Sequence, residues 1–297
     1  MSSNLACIGM GVTSPAELSE LVAEVARLGS EPVAHSPGVQ TYAWQDSSGA
    51  RVVLDVLAGR PLILSSFAST SEFTSTAVEA HSPDVARVTV LGEDGVTETG
   101  VTCELEQRRH VEGQVGGGRI RLVALGINVT AFDDEPTFLA DDASLLGTED
   151  ELGPPPPEVA ERGLAWPPRM SASAFFANGF YPGPVDPTPH ALLSGVVLRA
   201  EVRTNSLTGR RFVASRVLTA FGELDLCLAE EFALLLPGQV VAGTVAMVGR
   251  LLEDAPADPA TPADPATPAA PEEQAGDDDA QPRPGETRRE WRNRTGR

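Results

Sequence analysis

The chain has 297 residues, of which 41% are hydrophobic, and its formal net charge at pH 7 is −20. This length and apolar content are enough for two packed cores, and the acidity disfavours duplex DNA and anionic membranes as partners. All 22 basic residues are arginine, which excludes Schiff-base chemistry on lysine and a lysine-dependent phosphate loop.

The N-terminal residues predict a strand followed by a helix. Residues 5–12 form an apolar run of strand length without the features of a signal peptide. A capping pattern follows, with Ser14 as the cap, Pro15 at the first helical position and Glu17 three residues after the cap. Gly29 lies just past the predicted helix end. Because the helix has one apolar stripe, we expect it to cover a sheet.

Three strand-like runs follow the helix, at residues 40–45, 51–57 and 62–67, with a polar turn at residues 46–49. This β-α-β-β-β order resembles one half-module of the vicinal oxygen chelate (glyoxalase-like) superfamily. The resemblance implies a metal bound by His, Glu or Gln side chains from the first and last strands of paired modules.

The metal site of that superfamily does not carry over to this sequence. The first predicted strand offers only Cys7 and Met10, and the fourth offers only Asp55. The pair Gly9 and Gly11 also lacks the rest of a dinucleotide fingerprint. We therefore expect neither a metal nor a cofactor.

Residues 1–150 are interpreted as one acidic α+β domain, with eight arginines against 22 acidic residues. Further strands are predicted at residues 85–91, 96–106 and 119–132, and the glycine-rich residues 113–118 predict a mobile connection between the last two. The expected fold class is α+β and β-rich, with an antiparallel N-terminal sheet covered by one helix.

Residues 151–189 are predicted to be a linker, because they are rich in proline. Aromatic residues are concentrated there, and Trp166, Phe175 and Phe176 are candidate partner contacts. Such a cluster favours docking onto a neighbouring domain, and a ligand groove is the alternative.

Residues 190–252 have the pattern of a small β-domain. It begins with a strand that contains Gly195, continues through a hairpin turn at residues 204–209, and enters its last strand through Pro-Gly-Gln at residues 237–239. This order resembles the OB-fold, a small Greek-key barrel. The resemblance implies a fold used to bind single-stranded nucleic acid or sugars, or used for assembly.

The same segment contains the candidate binding surface. Six arginines stand against five acidic residues there, so it alone escapes the acidity of the chain. The candidate contacts for an anionic ligand are Arg199, Arg203, Arg210, Arg211 and Arg216, with Phe212 and Phe221 as possible stacking platforms.

Residues 253–297 are predicted to be a disordered acidic tail, because they contain two copies of the repeat DPATPA and lack apolar periodicity. The tail ends in a basic tip that contains Trp291. This tip is either a short recognition peptide or a solubilising end.

No catalytic motif is found, and the four histidines are scattered. The three cysteines are widely spaced and are interpreted as buried apolar residues. We expect a cytoplasmic, non-enzymatic binding or assembly module whose partner is another protein. The alternatives are single-stranded nucleic-acid binding through the OB-like barrel and a glyoxalase-like enzyme.

Overall fold

A computed structural model describes residues 4–92, 94–180 and 186–252. The described residues form one compact unit. The predicted tail at residues 253–297, with Trp291, lies outside the described residues.

The predicted N-terminal helix is confirmed as α1, Pro15–Arg27. Ser14 caps it, since the Ser14 side chain accepts a hydrogen bond from the Glu17 backbone N–H at 3.2 Å. The Glu17 carboxylate in turn accepts from the backbone N–H of Thr13 at 2.8 Å, one residue earlier than a capping box requires.

The strand expected at residues 5–12 is wrong. Residues Ala6–Ile8 form a 3-10 turn, which Gly9 ends with a φ of +70°. Cys7 and Ile8 are nevertheless fully buried. The apolar character of this run therefore reflects its packing between other elements and not strand pairing.

A four-stranded antiparallel sheet follows α1 in simple sequential order. Its strands are β1, Glu31–Ser36; β2, Val39–Gln45; β3, Ala50–Leu57; and β4, Arg60–Phe67. The last three confirm the predicted strands. The first was missed because it is an edge strand in which no residue is buried, and it therefore lacks an apolar signal.

The rest of the chain is mainly β-structure. Four strands come before the central helices: β5, Glu72–Ser82; β6, Val85–Leu91; β7, Glu98–Leu105; and β8, Gln114–Phe132. The short helices are α2, Glu135–Ala140; α3, Glu149–Leu152; and α4, Pro157–Glu161. The remaining strands are β9, Phe175–Ala177; β10, His190–Thr204; β11, Arg211–Thr219; β12, Gly222–Ala229; and β13, Val240–Leu252.

The mobile connection expected at residues 113–118 is largely part of a strand, because β8 begins at Gln114. A Cβ atom at Gly117 would lie 2.1 Å from the carbonyl oxygen of Ser75 on β5. Gly117 therefore permits close approach of the two paired strands.

In the described residues β5 to β13 form one mixed sheet whose hydrogen bonding closes twice. Strands β10, β11, β12, β8 and β13 form one ring of neighbours, and β5, β6, β7, β13 and β8 form the other. The two rings share β8 and β13, which pair antiparallel along most of their length. Each ring contains one parallel pair. In the ring with β10 it is β12 with β8, and in the ring with β5 it is β7 with β13.

An OB-like barrel confined to residues 190–252 is not confirmed. The ring that contains β10 to β13 is closed by β8, which belongs to the predicted N-terminal domain. The boundaries expected at residues 150 and 190 therefore do not coincide with a break in the sheet.

Two large cores result from this arrangement. One core is built from apolar side chains of both rings, including Ile120, Leu226 and Met247. The other lies between the four-stranded sheet, α1 and the outer faces of β8, β11, β12 and β13, and it includes Trp44, Phe67 and Phe212. The small sheet thus packs against the large one, and the cleft described below opens where β4 crosses over to β5. Among the described residues, no helix has the length and apolar composition needed to cross a bilayer.

Candidate functional site

Two cavities lie on either side of the segment that leaves β4. Phe67 and Ala68 line both of them. The first, which we call the Arg199 cavity, has a volume of about 280 Å³ and is bounded by β10 and β11. The second, the Arg250 cavity, has a volume of about 210 Å³ and is bounded by β8 and β13.

The Arg199 cavity brings together three of the predicted arginines, Arg199, Arg203 and Arg216. Arg216 is only 8% exposed. Its guanidinium donates to the hydroxyls of Thr70 and Ser71 and lies 3.4 Å from a carboxylate oxygen of Asp225. This arginine is therefore a fixed part of the cavity wall.

The segment at residues 69–71 is held by the same network. Asp225 accepts hydrogen bonds from the Ser69 hydroxyl and the Thr70 backbone N–H, each at 2.8 Å. The Ser71 hydroxyl accepts from the Asp225 backbone N–H at 2.7 Å. Because these bonds fix the crossover from β4 to β5, both cavities have one preorganised wall.

The other two arginines of this cavity differ in how many contacts their side chains make. Arg203 donates to the carbonyl oxygen of Ser48 at 2.7 Å, and its guanidinium lies over the Phe67 ring at 5.2 Å from the ring centre. Arg199 is exposed, and its side chain makes no hydrogen bond or ion pair with another described residue. It stands directly opposite Arg216 in the β10–β11 register.

The Arg250 cavity repeats this arrangement with a second pair. Arg121 on β8 stands directly opposite Arg250 on β13. Arg121 lies 3.3 Å from Glu72, and Arg250 lies 3.8 Å from the buried Glu106. Burial lowers the pKa of Arg250, and the neighbouring charge of Arg51 lowers it further. Gln45, Ser66 and Ser69 add polar groups to the lining.

Like charges directly opposite each other on paired strands destabilise a sheet. Here two such arginine pairs, Arg199 with Arg216 and Arg121 with Arg250, line neighbouring cavities in a chain of net charge −20. Arg121, Arg216 and Arg250 each have at least one carboxylate within 4 Å, and Arg199 has none among the described residues. An anionic group bound beside Arg199 could therefore accept charge-assisted hydrogen bonds. The cleft is therefore suited to carboxylate or phosphate groups.

Arg210 and Arg211, the other two predicted arginines, line neither cavity. Arg210 donates to the carbonyl oxygen of Gly11 at 2.7 Å and so ties the β10–β11 turn to the N-terminal segment. Arg211 forms an exposed ion pair with Glu230 at 3.1 Å. Strand alternation and the turn send these two side chains away from the cleft.

The two candidate stacking residues are buried. Phe212 is 0% exposed and meets Phe67 edge to face with ring centres 6.2 Å apart. Phe221 is 2% exposed and packs between Phe73 and Phe175. Phe212 on β11 points toward an apolar core by strand alternation, whereas Phe221 lies in the turn between β11 and β12. Neither aromatic side chain presents a face to solvent.

The aromatic residues of the predicted linker are spread over different contacts. The Trp166 indole N–H donates to the carbonyl oxygen of Gly153 at 2.9 Å. Phe175 docks on Phe221 with ring centres 4.8 Å apart, while Phe176 remains 47% exposed. Both phenylalanines belong to β9, which adds an edge strand to β10.

The sequence did not identify Arg250, Phe67 or Gln45 as site residues. Arg121 and Arg250 belong to strands far apart in the chain, and only the β8–β13 register places them opposite each other. The one available signal was Arg250 near the end of the apolar strand β13, and that signal does not indicate which residue lies opposite it.

The cysteines contribute no nucleophile to this cleft. All three are free and buried, and burial raises the pKa of Cys7 and of Cys103 to about 12. In the part of the chain that the structure describes, no group of three or more His, Cys, Asp or Glu side chains is arranged to hold a metal ion. That the protein binds no metal stays a prediction.

The chain is β-rich and has an arginine-lined cleft between two sheets. Comparisons of the chain with protein-family models, with curated proteins and with solved structures found no match.

Proposed function

We propose that this protein is a non-enzymatic binding or assembly module that engages an acidic segment of a partner protein through the Arg199 and Arg250 cavities. The observation that carries the proposal is the presence of two arginine pairs placed directly opposite each other on paired strands. Such pairs concentrate positive charge that Asp225, Glu72 and Glu106 offset only in part, and a bound anion would offset the rest.

The geometry favours recognition of side-chain carboxylates. Arg199 has no partner among the described residues, and Arg250 has only the 3.8 Å contact with Glu106. A guanidinium without a close partner can bind a carboxylate with two parallel hydrogen bonds. Phe67 and Ala68 separate the two cavities, so neighbouring acidic residues of one segment would occupy one cavity each.

Single-stranded nucleic acid is the less favoured ligand. Binding without sequence preference usually combines a basic groove with aromatic platforms. The two candidate platforms, Phe212 and Phe221, are buried, and the net charge of −20 opposes a polyanion.

Two further parts of the proposal concern fold and location. The ring of β10, β11, β12, β8 and β13 supports an OB-like barrel whose fifth strand comes from the N-terminal half. The three free, buried cysteines support a reducing compartment such as the cytoplasm.

The proposal is tested with a fluorescent oligoglutamate peptide, whose binding to the full-length chain is followed by fluorescence anisotropy. We expect the double variant Arg199→Gln, Arg250→Gln to bind at least about tenfold more weakly, because two charge-assisted contacts are lost. The matched control is Arg60→Gln, Arg162→Gln, which removes the same charge at two exposed arginines outside both cavities.

An equal loss of affinity in the control variant would show that peptide binding depends only on the net charge of the chain, and the proposal would be wrong. Failure of the wild-type chain to bind the peptide would contradict it as well. Tighter binding of oligothymidylate than of the peptide, lost on Arg199→Gln, Arg250→Gln, would replace the acidic protein segment with nucleic acid.

A further inference from the structure

A continuous chain of side-chain hydrogen bonds lies outside the arginine cleft and links four polar residues. The Ser36 hydroxyl oxygen lies 2.9 Å from Nδ1 of His110, and Nε2 of His110 lies 2.8 Å from the Thr41 hydroxyl oxygen. The Thr41 hydroxyl donates to a carboxylate oxygen of Asp55 at 2.6 Å. We call this set the Ser36 relay.

Two parts of the fold build the Ser36 relay. Ser36 ends β1 just before the Pro37–Gly38 turn, and Thr41 on β2 stands directly opposite Asp55 on β3. His110 comes from the turn that follows β7, so it reaches the small sheet from the large one. Tertiary packing alone brings the serine and the histidine together.

For a neutral His110, the hydrogen-bond pattern is satisfied by one assignment of the protons. Thr41 uses its single hydroxyl proton on Asp55, so it accepts from His110, and Nε2 of His110 carries the hydrogen. In the neutral imidazole Nδ1 is then an acceptor, and it receives the proton of the Ser36 hydroxyl. This is the arrangement of a nucleophile with its general base, oriented by a third group.

The surroundings keep His110 in this neutral form. Burial lowers the pKa of His110, the Asp55 charge opposes that shift, and His35 adds to it. Arg108 and Arg109, beside His110 in the chain, lie 2.7 Å and 3.7 Å from the Asp55 carboxylate and neutralise much of its charge. The imidazole is consequently available as a base at neutral pH.

The reactive end of the relay is open to solvent, whereas its far end is buried. Ser36 and His110 are half-buried, but Thr41 is 1% exposed and Asp55 is 0% exposed. Arg108, Arg109 and Val111, which flank His110 in the chain, line a cavity of about 310 Å³, but Ser36 and His110 themselves do not line it.

We propose that Ser36 is a covalent acylation site that takes an acyl group from an activated donor such as an aryl ester or a thioester. The Ser36 oxygen attacks the carbonyl carbon, a new C–O bond forms, and His110 Nδ1 takes the hydroxyl proton. The bond to the leaving group then breaks, and the protonated His110 returns that proton to the departing oxygen or sulfur. Thr41 and Asp55 are positioning residues.

The test incubates the full-length chain with p-nitrophenyl acetate, measures release of p-nitrophenol, and locates the acetyl group by mass spectrometry of peptides cleaved at arginine. We expect acetylation at Ser36, and a rate that falls as the pH is lowered through the pKa of His110. His110→Gln should slow the reaction about 100-fold or more, the usual contribution of a general base.

Variants at Thr41 and Ser19 separate positioning from nonspecific reactivity. Thr41→Val should slow acetylation, whereas Thr41→Ser, which keeps the hydroxyl, should restore it. Ser19→Ala is the control, because Ser19 is an exposed serine whose hydroxyl donates to a backbone carbonyl at 2.9 Å. Acetyl groups spread over several serines, or equal acetylation of Ser36 in His110→Gln, would overturn the proposal. An acetylation rate of the wild-type chain that does not change with pH would also overturn the proposal.

Discussion

At the scale of single residues, a buried ion pair joins the small sheet to the large one. Arg51 on β3 is 3% exposed and Glu106 is 0% exposed. The Arg51 Nε–H lies 2.9 and 3.0 Å from the two carboxylate oxygens of Glu106, which also accepts from the Ser66 hydroxyl at 2.7 Å. Removing one member of such a pair leaves the other charge buried without compensation.

Glu106→Gln should therefore destabilise the fold strongly. We expect the free energy of unfolding to fall by about 3 kcal/mol or more, the usual cost of breaking a buried ion pair. Chemical denaturation measures this value, and Glu98→Gln is the control. Glu98 is exposed and accepts one hydrogen bond, from Thr76 at 3.0 Å, so its loss should cost less than about 1 kcal/mol. Similar values for the two variants would mean that the buried pair contributes no more than a surface contact.

At the scale of elements, β8 and β13 determine the architecture, because each belongs to both rings of the large sheet. A strand shared by two rings must bend where it leaves one neighbour for another. The β8–β13 register shifts between Thr244 and Val245, next to Gly243, whose φ is +145°. A Cβ atom at Gly243 would lie 2.0 Å from the carbonyl oxygen of Asn128 on β8.

Gly243→Ala should separate β13 from β8 at this irregularity, because a backbone carbonyl cannot move aside as a flexible side chain can. We expect a loss of at least about 2 kcal/mol in the free energy of unfolding, from overpacking together with an unfavourable φ. Gly116→Ala on β8 is the matched control, since a Cβ atom there has no neighbour within 4 Å. Equal stability of the two alanine variants would contradict the close approach at Gly243.

At the scale of the whole molecule, each ring of the large sheet needs strands from both halves of the chain. The ring of β10 to β13 needs β8 between β12 and β13, and the ring of β5 to β8 needs β13 between β7 and β8. Each half alone would leave unpaired strand edges and part of the shared core exposed to solvent. This arrangement predicts cooperative folding of the described residues as one unit.

A fragment comprising residues 190–252 should therefore fail to unfold in a cooperative transition. The comparison is a chain ending at Leu252, which keeps every described strand and should retain the thermal transition of the full-length protein. Differential scanning calorimetry of the two chains distinguishes the alternatives. A sharp transition in the 190–252 fragment would establish it as a self-contained domain.

The sequence correctly located those elements whose signals are local. Ser14, Pro15 and Gly29 mark the ends of α1 because capping depends on residues a few positions apart. The apolar alternation of β2 to β4 and the turn at residues 46–49 also depend on near neighbours. The buried 3-10 turn at Ala6–Ile8 was mistaken for a strand, since a short apolar run does not reveal whether it is paired.

The candidate site was only partly predictable for the same reason. Arg199, Arg203 and Arg216 were identified from their charge and do line one cavity. The burial of Phe212, the pairing of Arg121 with Arg250, and the contact of Ser36 with His110 depend on strand pairing and packing between distant segments. The sequence by itself determined the helix, most strands and the excess of acidic residues. Tertiary structure decided which strands close each ring and which side chains meet. Those contacts join segments that are far apart in the chain, and the local sequence of one segment does not indicate its partner.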